Sequence, residues 1–347
     1  MTTPHPAPPA ERQTSLLDLL STGSPAPKSR LGRHAVAAAS PIRPKEPTST
    51  EDPIRFVDDL AGIGGFHLAL ASLGAQCVFA TENDPLARAT YQNNFQTLRP
   101  ELFSCGRFAS DIGAVDPADI PEHDVVTASF PVQPFSFKEM QRGHDEHDTL
   151  LVHLARLIRH TQPRAYIFED VAGLRFHHQG RTFAAIRNTM TSQLGYSFHT
   201  GVLRACDFGL PQLRPRLFMV GFKDPSTPFA FPDPVPLTQT LGDVLGGQCD
   251  RELSYTLLGS GLRDHANARV NWDTYTVDDR VHRLTSREAA ALQGFPDGFK
   301  LPASRARALR QVGNSVAVPV ASAVAREVIS ALRAAKPGST ANKEMPA

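Results

Sequence analysis

Cysteine is scarce in this sequence: 4 among 347 residues, at Cys77, Cys105, Cys206 and Cys249. No two form a Cys-x-x-Cys pair, which argues against the common zinc spacings and against a disulfide framework. Tryptophan occurs once, at Trp272. No run of about 18 apolar residues is present to span a bilayer, and the N-terminus lacks the basic-then-apolar order of a signal peptide. The expectation is a soluble chain in a reducing cytoplasm, nucleoid-associated if it meets nucleic acid, with no membrane partner. Charge of one sign is lacking too, since 36 Lys and Arg against 35 Asp and Glu leave a net charge of +1. The molecule is therefore no polycation, and any contact with nucleic acid must come from a local basic face.

What is present divides the chain. Residues 1–52 are rich in Pro, Ala, Ser and Thr and read as a disordered arm that buries too little apolar surface to fold alone. From Ile54 onward short apolar runs alternate with helical stretches: Ile54–Leu60, Cys77–Thr81, Val125–Phe130, Tyr166–Phe168, Val202–Arg204 and Leu217–Phe222. Strands alternating with helices predict an α/β fold, a parallel-dominated sheet with helices on both faces. Residues 223–281 break the rhythm and read as a small subdomain. Residues 282–335 return to helix, and 336–347 read as a disordered tail. Thr285-Ser286-Arg287-Glu288 predicts a capping box, with Gly294 as its helix's stop. Pro319 suits the first turn of a last helix running to about Ala334.

Asp59-Leu60-Ala61-Gly62-Ile63-Gly64-Gly65-Phe66 follows the first strand, and glycines there let backbone approach a ligand closely. The second strand ends at Thr81-Glu82-Asn83-Asp84-Pro85, where a carboxylate grips ribose hydroxyls. Asp84 also suits the cap of a helix begun by Pro85. Asp111 offers a further acceptor, suited to an adenine amino group or to a loop end. These features do not separate a nicotinamide site from an S-adenosylmethionine site.

The separation comes downstream. Ser129-Phe130-Pro131-Val132-Gln133-Pro134-Phe135-Ser136 is a loop stiffened by prolines. It resembles the Pro-Cys-Gln-Pro-Phe-Ser loop of the DNA (cytosine-5) methyltransferases. Phe168-Glu169-Asp170-Val171 is similar to the family's Glu-Asn-Val motif, and Gln212-Leu213-Arg214-Pro215-Arg216 to Gln-x-Arg-x-Arg. Arg283–Glu288 with Leu292–Pro296, and Gln311–Val316 with Pro319, resemble the two closing motifs. The resemblance spans about 56–330, in the family's order.

It implies a Rossmann-like S-adenosylmethionine-dependent methyltransferase fold with a target-recognition region at 223–281, S-adenosyl-L-methionine as cofactor, double-stranded DNA as partner, and a monomer. It places the cofactor against Gly62, Gly64, Gly65, Phe66, Glu82, Asp111, Asn314 and Ser315. Glu169 becomes the acid that contacts the cytosine ring, and Arg214 and Arg216 contact phosphate or the flipped base. Gln133 and Arg263 join them as DNA contacts, Arg263 as a reader of a guanine edge. In the family's reaction a cysteine thiolate adds to C6 and makes C5 nucleophilic, on a base taken out of the helix.

Val132 stands at the thiolate's position, and a hydrocarbon has nothing to ionise. Asp170 replaces the motif's asparagine and is expected to add a charge beside Glu169. The segment His144-Asp145-Glu146-His147-Asp148 lacks the arginine usual there, so a cysteine at 132 need not restore the reaction by itself. The reading is a pseudoenzyme that binds cofactor and DNA. Two alternatives stay open: an active restriction-modification methyltransferase in which valine is an engineered or erroneous replacement of cysteine, and a non-catalytic partner of an active methyltransferase or restriction enzyme.

Overall fold

The computed structural model describes residues 52–129, 146–259 and 272–335. The arm, the tail, Val132, Gln133 and Arg263 lie outside the described residues. The chain runs β1 (Arg55–Asp59), α1 (Gly65–Ala71), β2 (Gln76–Thr81), α2 (Pro85–Phe95), α3 (Pro100–Ser104), β3 (Phe108–Ala109), β4 (Val125–Ser129), α4 (Glu146–Thr161), β5 (Ala165–Val171), α5 (Arg181–Asn188), β6 (His199–Arg204) and β7 (Pro215–Phe222). It continues through α6 (Leu241–Leu245), a hairpin of β8 (Thr274–Val277) and β9 (Arg280–Arg283), then α7 (Ser286–Leu292), α8 (Arg305–Asn314) and α9 (Val318–Ala334).

Seven strands form one sheet in the order β3-β2-β1-β4-β5-β7-β6. β1 to β5 are parallel, and β7 runs antiparallel between β5 and β6. Parallel strands bury both faces, and alternation along each strand sorts the side chains between two layers. Phe56, Ile167 and Phe218 pack on the α1 and α9 side with Leu70, Val324 and Val328. Val57, Val126 and Phe168 pack on the α4 side with Leu154 and Leu157.

Local signals set the helix ends. The Asp84 side chain accepts from the Leu86 amide at 2.9 Å and caps α2, with Pro85 first in the helix. Thr285 and Glu288 complete a reciprocal capping box on α7. Pro319 sits in the first turn of α9. Strand ends depart from the pattern: β5 extends to Val171, β6 begins at His199, and β3, two residues long, is too short to show a period. Leu241, Leu257 and Tyr275, within 223–281, belong to the same buried cluster as Phe56 and Val324. The most apolar helical stretch among the described residues, Arg305–Ala334, is mostly buried and consists of α8 and α9.

Candidate active site

The sheet's C-terminal edge gathers two groups of polar residues. The first surrounds the turn after β1. Leu60 and Gly62 adopt positive φ there, and the Leu60 amide donates to Thr81 Oγ1 at 3.1 Å. Glu82 is buried and ties the turn to β2: its Oε2 accepts from the Gly62 amide at 2.7 Å and its Oε1 from the Asp84 amide at 2.8 Å. Burial raises the Glu82 carboxyl group's pKa while these amides oppose the rise. Gly64 has φ 91°, and a Cβ there would overlap the Phe95 ring. A Cβ on Gly65 would lie 2.5 Å from Ser315 Oγ, so the last motif closes directly over the turn. Phe66 is buried. Asn314, at the end of α8, is exposed, with Gly259 packed against its side chain.

Asp111 is exposed on the loop after β3, its Oδ1 accepting from the Gly113 amide at 2.7 Å. It borders a cavity of about 370 Å³ with Phe79, Arg88, Phe108 and Asp116. Sequence reasoning passed over Arg88. It donates to the carbonyl oxygens of Glu82 and Phe108, each at 3.0 Å, and lies 4.2 Å over the Phe108 ring. An arginine one turn into a helix carries no sequence signal of that task.

Asp58, and Asp59 at the head of the turn motif, had no role assigned from the sequence. Both are fully buried. Thr127 Oγ1 donates to Asp58 Oδ1 at 2.8 Å and Thr81 Oγ1 to Asp59 Oδ1 at 3.0 Å. Neither Oδ2 has a hydrogen-bond partner among the described residues. Burial pushes Asp58 well up and Asp59 to about 7. Behind the turn, His67 Nδ1 and Tyr91 Oη are 2.6 Å apart, and burial lowers His67 to about 3.

The second group lies at the ends of β5 and β7. Antiparallel register sets Val171 opposite Arg216 and Glu169 opposite Phe218, so Arg216 and Glu169 are diagonal neighbours on one face. Arg216 Nε is 3.1 Å from Glu169 Oε1, with side chains 13% and 5% exposed. The pair is thus shielded from the screening that weakens surface ion pairs.

Two expectations are corrected here. Arg214 shares Arg216's side of the chain but is 2% exposed and does not present its guanidinium to a phosphate. It donates to the carbonyl oxygens of Leu257, Gly313 and Ser315 at 3.0, 2.9 and 2.7 Å. Gln212 does similar work, donating to Leu292 O at 2.7 Å and accepting from the Leu257 amide at 3.1 Å. Asp170 adds little charge beside Glu169. It is 1% exposed, its Oδ1 accepts from the Val171 amide at 2.6 Å, and burial holds its carboxyl well above the usual range. A neutral carboxyl group has nearly the shape of the asparagine amide it replaces. Tyr275 packs within residues 223–281, donating to Trp272 O at 2.8 Å.

Comparison with known proteins agrees with this arrangement. The model of the C-5 cytosine-specific DNA methylase family matches residues 54–278 and 258–330. The type II methyltransferase M.NgoBI of Neisseria gonorrhoeae is 36% identical over 319 residues, covering 83% of this chain and 96% of that protein. M.HhaI of Haemophilus parahaemolyticus is 32% identical over 321 residues, covering 80% and 95%. Among solved structures, the Entamoeba histolytica methyltransferase EhMeth superposes with TM-score 0.62 at 15% identity, over 81% of this chain and 99% of that one. A Spodoptera frugiperda DNMT2 mutant gives 0.59 at 17% identity, with the same coverage. The structural likenesses establish the S-adenosylmethionine-dependent methyltransferase fold, and the family match together with relatives above 30% identity establishes the rest: the chain belongs to the C-5 cytosine-specific DNA methylase family.

Proposed function

We propose that this chain holds S-adenosyl-L-methionine and a flipped cytosine of duplex DNA in a methyltransferase site, and does not methylate C5 because Val132 fills the nucleophile position. The family uses S-adenosyl-L-methionine and acts on double-stranded DNA. The residues present fit that cofactor. Nothing lies within 4 Å of where a Cβ on Gly62 would sit, and the Glu82 carboxylate is fixed by two amides with lone pairs left for ribose hydroxyls. Asp111 borders a cavity that Phe79, Arg88 and Phe108 also line. When bound, the cofactor supplies an electrophilic methyl group.

The observation that carries the reading is the buried Arg216–Glu169 pair. Arg216 orients Glu169, and Glu169 contacts the ring nitrogen and the amino group of an extruded cytosine. Residues 223–281 serve as the target-recognition region, with Arg263 and Gln133 as base contacts. The missing piece is the sulfur. With valine at 132 no thiolate adds to C6, C5 stays a poor nucleophile, and orientation alone has little to act on.

The test is transfer of tritiated methyl groups to mixed-sequence duplex DNA by the wild-type protein, beside calorimetric titration with S-adenosyl-L-methionine. Cofactor binding without methylated cytosine is expected. Methylated cytosine from the wild type defeats the reading, as does failure to bind at millimolar cofactor.

A further inference from the structure

The turn between β5 and α5 is built in an unusual way. After Val171 the chain makes a 3-10 segment over Ala172–Gly180. Within it His178, Gln179 and Gly180 take positive φ in succession, at 49°, 59° and 83°. Two of the three carry side chains, so the conformation is strained, and such strain persists only where the surroundings impose it. Here His177 Nδ1 meets Thr182 Oγ1 at 2.8 Å and Arg181 Nε donates to His178 O at 3.1 Å. The result is a folded-back turn that leaves Phe176 72% exposed, between the exposed Arg175 and the exposed Arg181. Arg175 forms no ion pair or hydrogen bond among the described residues.

Charge sets this surface apart. The whole chain is balanced, 36 cations against 35 carboxylates. Yet from Val171 to Cys206 there is no Asp or Glu, while Arg175, Arg181, Arg187 and Arg204 all fall there. The segment follows directly on the strand that carries Glu169 and packs against β7, which carries Arg216. A duplex that delivers a base to Glu169 passes beside it.

We propose that the Arg175–Phe176–Arg181 turn is a DNA-contact surface, with the two arginines on phosphates of the duplex and the Phe176 ring against bases left unstacked beside the extruded cytosine. It rests on the DNA-binding reading above and adds to it the contact face. A phosphate row suits the exposed Arg175 and Arg181, and an exposed aromatic ring between them in the chain suits a base face, as in other nucleic-acid platforms.

The experiment is anisotropy of a labelled mixed-sequence duplex with the full chain, across a salt series. The proteins are wild type, Arg175→Ala/Arg181→Ala, Phe176→Ala and the milder Phe176→Leu, with cofactor titration as the control for folding. The double arginine variant is expected to lower the salt slope by about two, one for each phosphate contact. Phe176→Ala is expected to weaken binding at every salt concentration with the slope unchanged, and Phe176→Leu to do so by less. No salt-dependent binding by the wild type overturns the DNA-binding reading itself. Wild-type binding with unchanged slope and affinity in all variants overturns this inference alone, and that is the outcome if the surface serves a protein partner instead.

Discussion

Asp59 lies at the end of a central strand, fully buried, with one oxygen on Thr81 and the other without a partner among the described residues. Removing a carboxylate from water without full compensation favours the neutral acid, so its pKa stands near 7 rather than at the usual 3.8. The folded chain then holds this proton more tightly than the unfolded chain. Linkage makes the group's effect on stability least adverse below about 4, increasingly adverse as pH rises to about 7, and level above that. Asp59→Asn keeps an acceptor for Thr81 and removes the titration. Its stability relative to wild type is expected to rise by about 2–3 kcal/mol between pH 5 and pH 8. Urea unfolding at the two values measures it. A constant difference between the proteins means that Asp59 does not titrate in that window.

Arg214 acts between elements. It leaves the chain just before β7 and ends on carbonyl oxygens at Leu257, Gly313 and Ser315, joining the sheet to the segment 223–281 and to the end of α8. Removal of the guanidinium strands the buried carbonyl oxygens of Leu257 and Gly313, each dear to leave unpaired, while Ser315 O keeps its bond from Gln293 Nε2 at 2.6 Å. Arg214→Met is expected to cost about 3–5 kcal/mol of stability. Under conditions where the variant stays folded, the salt slope of DNA binding should keep its wild-type value, and a drop of one would return Arg214 to a phosphate. The sequence could not have revealed this destination. Alternation shows that Arg214 and Arg216 share a face, but not that one meets carbonyl oxygens and the other Glu169. Caps were legible because their causes are local: Asp84 before Pro85, Thr285 three residues before Glu288. The neutrality of Asp170 was illegible for the opposite reason, since burial there is set by distant parts of the chain.

At the scale of the whole molecule, folding brings residues far apart in sequence to one edge of the sheet. Ser315 meets Gly65, and Arg216 meets Glu169. The order of the motifs made the family and the sheet legible, while the contacts between motifs had to be seen. Those contacts bear on how much of the reaction one sulfur would restore. The segment at 144–148 lacks the usual arginine and speaks against recovery. On the other side stand a buried, ion-paired Glu169 and an Asp170 whose carboxyl group burial holds well above the usual range. In the proposed site the second pair concerns the groups set beside the reacting ring, and it weighs more. Val132→Cys, with cofactor and a duplex carrying 5-fluorocytosine, is therefore expected to form a covalent adduct. The thiolate adds to C6, C5 takes the methyl group, and fluorine stands where a proton must leave, so the thiol cannot be eliminated. Denaturing electrophoresis reads the adduct as a protein band shifted by the mass of the DNA. The wild-type protein should give none. If Val132→Cys gives none either while still binding the duplex, the defect extends beyond the missing sulfur to the catalytic loop.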